Sequence, residues 1–191
     1  RICKGRDLVH VLSLGEHPPV DNFIVPDGVI EEKRYPLDVY FCRTCKLVQL
    51  VDVVPPTELF HNAYAFFSSA SVPLVRHFES YAKQIKEKYL SPGDLVVDIG
   101  SNDGVLLQFF LPEHRVLGIE PSSNVAEAEK EKGIETIIEF FDEPLAKRIV
   151  KTHGKAKVVA ANNVLAHIDD IDEIVRVVKE LLTDDGVFVS E

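Results

Sequence analysis

The chain has 191 residues, 46% hydrophobic and 27% charged, with 21 Lys and Arg against 31 Asp and Glu for a formal net charge of -10. That composition excludes intrinsic disorder, collagen and coiled coil, and the acidic balance makes a poor general nucleic-acid binder. No run of about 18 apolar residues occurs, so no membrane span is expected. No basic-then-apolar leader opens the sequence, and three cysteines make no disulfide framework, so a reducing cytoplasm is the expected compartment. Residue 1 is Arg and Met is absent, so a fragment or trimmed ends are expected.

The charge divides the chain. Residues 1–90 are balanced, with 11 basic and 11 acidic side chains, whereas residues 91–191 hold 10 basic and 20 acidic. A breaker cluster, Ser91-Pro92-Gly93, marks the join. Three segments are expected: a small irregular unit over 1–60, a linking segment and helix over 61–92, and a regular unit over 93–191.

The first 60 residues are rich in turn formers, including Pro18, Pro19, Pro26, Pro36, Pro55 and Pro56, with short strands predicted over 38–41 and 47–51. Cys42 and Cys45 form a C-x-x-C knuckle between those strands, and Cys3-Lys4 echoes its second half. Thiolates so spaced suit a tetrahedral Zn²⁺, and a small irregular unit needs such a staple. Buried inert thiols and a redox pair are the competing readings, and His10 or His17 is a candidate fourth ligand. Ser71 is predicted to cap a helix to about Leu90, with Val75, Phe78, Ala82, Ile85 and Tyr89 on its buried face.

The second half alternates strand and helix. Apolar strands are predicted over 95–99, 115–120, 134–138, 157–161 and 187–189. Helical segments fall between them over 105–111, 121–132, 142–150 and from Asp169 or Asp170 to 182. The last of these has Ile171, Ile174, Val175, Val178, Leu181 and Leu182 on one face. This alternation predicts a parallel sheet in an α/β, Rossmann-like, doubly wound fold.

After the first of these strands comes Asp98-Ile99-Gly100-Ser101-Asn102-Asp103-Gly104. It lacks the third glycine of a dinucleotide fingerprint, which disfavours a nicotinamide oxidoreductase. Asp98 and Asp103 place negative charge where a pyrophosphate would sit, which repels a diphosphate and favours a cation. S-adenosylmethionine, with its sulfonium and ammonium, is such a ligand. Glu120, twenty-two residues beyond Asp98, is placed to accept from both ribose hydroxyls, although a solvated strand end is the plainer alternative. Its replacement by Ala is expected to abolish donor binding with little loss of fold. Phe140, Phe141 and Asp142 follow the third strand, where an adenine would lie, and core packing competes for one of the two rings. Asn162 and Asn163 end the fourth strand at the ligand edge of the sheet. His167 follows as a substrate contact or base, or as a packing residue for the next helix.

Taken together, the cysteine knuckles, the segment YAFFSSAS (residues 64–71), VVDIGSNDG, GIEPSSNVA and ANNVLAHIDD resemble the zinc-containing sugar C-methyltransferases. That family methylates carbon 3 of nucleotide-linked 4-keto-deoxy sugars through an enolate. The resemblance covers the whole chain. It implies a monomeric, cytoplasmic enzyme with S-adenosylmethionine, Zn²⁺ and a nucleotide-sugar substrate. It adds Ser101, Gly104, Pro121 and Asn124 to the donor site, Tyr64, Ser68 and Ser69 to the substrate site, and Cys3 with Cys42 and Cys45 to the metal. The segment before Ser71 could instead simply cap its helix. Phe66 stands where the family commonly has Tyr, and the first zinc cysteine is absent. The family's principal base lies in a stretch beyond the fifth strand, so this piece is expected to be catalytically incomplete, with His167 the remaining acid/base candidate. A module that binds the donor or nucleotide sugar without chemistry is the alternative.

Overall fold

The structure, a computed structural model, describes residues 1–21, 23, 32–60 and 64–191. Pro26 and the first three residues of the linking segment lie outside that set.

The N-terminal unit is an antiparallel sheet of β1 (Leu8–His17), β2 (Tyr35–Cys42) and β3 (Val48–Leu50), in that order. Leu8 lies opposite Cys42, and Phe41 opposite Val48, so the turn over 43–47 carries the knuckle. The sequence reading missed β1. Its register shifts between His10 and Leu12 and again between Ser13 and Glu16, and each shift interrupts the alternation by which a strand is recognised. A single helical turn, α1 (Pro56–Leu59), follows. Glu58 on that turn accepts from Tyr35 Oη at 2.5 Å and Lys33 Nζ at 2.7 Å, which ties it to the start of β2.

A 3₁₀ turn, Ser68–Ala70, leads into α2 (Val72–Tyr89), whose N-cap is Ser71, with Oγ accepting from Leu74 N–H at 3.4 Å. Phe78, Ala82 and Ile85 are buried as expected, but Tyr89, the last residue of the helix, is 40% exposed.

The remaining elements are β4 (Leu95–Ile99), β5 (Arg115–Ile119), α3 (Ser123–Glu131), β6 (Glu135–Ile137), α4 (Glu143–His153), β7 (Ala156–Ala161), α5 (Ile171–Leu181) and β8 (Leu182–Ser190). The five strands form one parallel sheet in the order β6-β5-β4-β7-β8. Strand order reverses between β4 and β7, and at such a switch point ligands bind beyond the carboxyl ends of the strands. All five residues of β4 are buried, because helices cover both faces. Leu145, Ile149, Ile174, Val178 and Leu181 pack on one face; Phe78, Ala82, Leu106, Leu107 and Phe110 pack on the other.

Asp142 and Asp170 cap α4 and α5, accepting from Leu145 N–H at 2.8 Å and Glu173 N–H at 3.0 Å. Each such cap contributes about 1 kcal/mol. Two expectations are corrected. The segment over 105–111 is not an α-helix but a run of turns with a 3₁₀ helix at Leu107–Phe109, where i→i−3 and i→i−4 bonds mix. On α5, Val177 is buried and Val175 is 48% exposed, so the apolar face is rotated by one position there.

Candidate methyl-donor site and cysteine centre

A cavity of about 810 Å³ lies between the two units, over the carboxyl ends of β4, β5 and β7. Its floor is the loop after β4. Gly100 has φ +69°, and a Cβ there would fall 2.5 Å from Val164 Cγ2, so both conformation and space demand glycine. Asn102 is also left-handed, at φ +54°.

Four carboxyl groups are buried around this loop, Asp98, Asp103, Glu120 and Glu129. Asp98 is 4% exposed; its Oδ1 has no hydrogen-bond partner among the described residues, and burial pushes its pKa up to about 7. Glu120 ends β5 at the cavity wall. Its Oε2 accepts from Asn102 N–H at 3.0 Å and its Oε1 from Ser122 N–H at 2.8 Å, while burial raises its pKa. Glu129, on α3 behind the loop, accepts from Ser101 Oγ at 2.6 Å and is pushed by burial to about 8.

The wall also contains both side-chain atoms of Asn162, buried and unpartnered, together with Ser101, Pro121, Phe140, Phe141, Asn163 and His167. Its acidic members are Asp21, Asp98, Glu120, Glu139 and Asp169, and among the described residues no Lys or Arg lines it. Unpartnered buried polar atoms facing an open space mark a place where a ligand supplies the missing bonds. An acid-lined space without cations suits a cationic ligand and disfavours a diphosphate.

Five residues given ligand roles by sequence do not line the cavity, and the first is Asp142, whose carboxylate caps α4 instead of reaching an adenine. Asp103 is 1% exposed. It accepts from the Ser69 hydroxyl and N–H and pairs with Lys132 Nζ at 3.4 Å, so its charge is spent inside the fold. Gly104 is a packing position: a Cβ there would meet Ile134 Cδ1 at 2.6 Å and Glu129 Cγ at 2.8 Å. Asn124 brackets Tyr64, with Oδ1 accepting from Tyr64 N–H at 3.2 Å and Nδ2 donating to Tyr64 O at 2.8 Å. Ser69 points to Asp103. Asp103 therefore adds nothing to the acidic wall of the cavity, although the sequence pairs it with Asp98. Asn102 lines the cavity yet spends its side chain on the 64–69 segment, accepting from Ser68 N–H at 2.8 Å and donating to Phe66 O at 3.0 Å. Among the residues proposed for the acceptor side, Tyr64 and Ser68 line the cavity.

The far end of the cavity is aromatic. Phe60 meets the edge of His167 at 5.8 Å between ring centres, and Tyr64 at 5.7 Å. Sequence reasoning missed Phe60 and its neighbours Pro56, Thr57 and Leu59, because no local pattern marks a one-turn helix from another unit as a wall.

The cysteines converge. Sγ atoms of Cys3, Cys42 and Cys45 lie within 4.8 Å of one another, with Cys3 and Cys42 at 3.5 Å. Tetrahedral thiolates at about 2.3 Å from Zn²⁺ stand just under 4 Å apart, so the three occupy three corners of such a site. The Cys45 N–H, with lesser help from Cys3, draws the Cys42 thiol down to about 7. Among the described residues no fourth ligand joins the group. His17 bonds the Leu14 carbonyl at 2.8 Å, and His10 faces Asp38 and Tyr40. Cys42 ends a strand rather than opening a helix, which weighs against a redox pair. The segment around Cys3 reaches across to the loop bearing His167: Arg1 donates to Ala166 O at 3.2 Å, and Lys4 pairs with Asp170 at 3.1 Å.

Residues 1–60 match a protein family described as "Putative zinc binding domain", and residues 97–188 match one described as "Methyltransferase domain". C-methyltransferase NovU of Streptomyces niveus is 35% identical over 194 residues. That alignment takes in 100% of this chain and 46% of the relative, so the chain spans less than half the length of the curated relative it matches. Among solved structures, the plantazolicin methyltransferase BpumL in complex with a pentazolic desmethylPZN analog and SAH superposes with a TM-score of 0.51 at 15% identity, covering 64% of this chain and 49% of that one. The same protein with SAH gives 0.50 at 15% identity over the same shares. These two structures are similar in fold.

Proposed function

We propose that the chain, whose first part matches a "Putative zinc binding domain" and whose second matches a methyltransferase domain, forms the donor-binding part of an S-adenosylmethionine-dependent C-methyltransferase acting on a nucleotide-linked 4-keto-deoxy sugar. One observation carries the reading: the cavity at the switch point holds a buried, unpartnered Asp98 oxygen beside Glu120, with no Lys or Arg among the described wall residues.

Glu120 is assigned to the ribose hydroxyls, Asp98 and Asn162 to the ammonium and amide-seeking groups of the amino-acid end, and Phe141 with Phe140 to the adenine. The bound donor supplies an electrophilic methyl group on positively charged sulfur. Asp98 and Glu120 favour that charge before transfer. With the methyl group passed to the acceptor carbon and its former bond pair left on sulfur, Asp98 would hold the product by its ammonium alone. On the acceptor side a proton leaves the carbon next to the ketone, and the resulting enolate carbon forms the new C–C bond. Tyr64, Ser68 and His167, which line the cavity, are assigned to that end. His167 is assigned to holding or returning a proton, and the principal base to another part of the full protein. The sugar ring of the acceptor is assigned to this end of the cavity. The reading carries with it a monomeric enzyme at work in the cytoplasm, without nucleic acid or membrane.

Calorimetry tests the reading. S-adenosylhomocysteine should give saturable heat and NAD none. Heat with NAD alone would replace the methyltransferase assignment with a dinucleotide one.

A further inference from the structure

Residues 64–69 run along the cavity mouth, and the methyltransferase domain holds them by three side chains. Asn124 brackets Tyr64, Asn102 bridges Phe66 and Ser68, and Asp103 takes Ser69. An amide side chain that gives one bond to a backbone and receives another acts like one rung of an antiparallel ladder. It fixes a strand-like segment without a partner strand.

Asn102 differs from the other two because its own backbone N–H donates to Glu120 Oε2 at 3.0 Å. One residue therefore joins the carboxylate at the donor end to the segment that places Tyr64 and Ser68 at the acceptor end. Its left-handed backbone directs the main chain to Glu120 while the side chain spans the gap to Ser68, 34 residues earlier in the chain.

We infer that Asn102 is a positioning residue that couples the two ends of the cavity, so that a methyl donor bound at Glu120 holds the 64–69 segment in place for the acceptor. The inference rests on the donor reading above. A donor that engages Glu120 restrains the Asn102 backbone, and a restrained Asn102 keeps the Ser68 N–H bonded. By linkage, a held segment strengthens donor binding by the same factor.

The test is amide hydrogen exchange on the native chain and on Asn102→Gly, with and without S-adenosylhomocysteine. Glycine keeps the left-handed turn and the N–H to Glu120 and removes only the side chain. In the native chain the ligand should slow exchange of the Ser68 amide by about tenfold or more. In Asn102→Gly, that amide should exchange about tenfold faster in the free protein and gain no protection from ligand. Calorimetric affinity for S-adenosylhomocysteine should weaken by up to the same factor, about tenfold, because the coupling is reciprocal. The Tyr64 amide, held by Asn124, should remain slow and so report an intact fold. Asn102→Asp, which keeps an acceptor oxygen, should restore slow exchange at Ser68. Binding without ligand-dependent protection at Ser68 in the native chain overturns the coupling and leaves the donor reading standing. Unchanged free-protein exchange in Asn102→Gly also overturns it. Absence of any binding heat in the native chain overturns the donor reading and the coupling with it.

Discussion

The carboxyl group of Glu129 occupies the space that a Cβ on Gly118 would need, with both carboxylate oxygens and Cδ in the way. Glu129 thereby packs α3 against β5 and, through Ser101 Oγ, holds the loop after β4. Gly118→Ala should therefore lower stability by about 2 kcal/mol through overpacking against a fully buried partner. Chemical denaturation measures this, and an unchanged midpoint would show that Glu129 can move aside.

Glu129 also sets a pH dependence. Its folded pKa is pushed up to about 8 by burial, whereas the unfolded carboxyl titrates near 4.5. Between those values the folded chain keeps a proton that the unfolded chain has lost, so Glu129 makes stability fall as pH rises, by at most about 1.4 kcal/mol per pH unit. Below the unfolded pKa it contributes no slope. Glu129→Gln should flatten this part of the stability profile between pH 5 and 8. Parallel profiles for the two proteins would mean that Glu129 is ionised in the fold.

Asp98 should release a proton when the donor site fills. Burial holds it near 7, and a ligand ammonium or sulfonium beside it favours its charged form. At pH 7 the calorimetric enthalpy of S-adenosylhomocysteine binding should therefore change with the ionisation enthalpy of the buffer, in the sense of release. In Asp98→Asn that dependence should shrink. A binding heat independent of buffer in the native chain would remove Asp98 from the ligand's reach.

Glu120 carries more of the fold than its sequence position suggests. Both oxygens accept backbone N–H groups, from Asn102 and Ser122, so Glu120→Ala leaves two buried donors unpaired. The variant should lose about 2–4 kcal/mol of stability as well as ligand binding, against the expectation of little loss. Glu120→Gln keeps one of the two acceptors and should lose less stability than Glu120→Ala, about 1–2 kcal/mol, with at least tenfold weaker affinity. Equal affinity in a folded Glu120→Gln would exclude a charged ribose contact.

Removing metal should loosen the His167 loop. Cys3 precedes Lys4, which pairs with Asp170, and Arg1 holds the Ala166 carbonyl. Chelation should raise amide exchange over 163–170 several-fold while β4 and β5 stay protected. Lys4→Ala should produce part of the same change with the metal retained. Exchange unaltered by a chelator would separate the cysteine centre from the cavity.

Much of the regular domain was legible in order. Apolar runs at the spacing of strand and helix, the capping residues Ser71, Asp142 and Asp170, and the loop from Asp98 to Gly104 all depend on neighbours within a few residues. The convergence of Cys42 and Cys45 is equally local. β1 escaped because two register shifts broke its period, and the segment over 105–111 was misread because apolar length alone does not distinguish an α-helix from packed turns.

The sequence by itself determined the strand order's raw material, the glycine at position 100 and the supply of acids at the ends of β4 and β5, since backbone conformation and burial of apolar runs are decided by near neighbours. Only the tertiary structure decided what those polar residues do. Asn102, Asp103 and Asn124 sit in the donor motifs, yet their side chains hold a segment 34 to 60 residues away. A buried polar atom takes whichever partner the packing brings within 3 Å, and that partner has no signature in the local sequence.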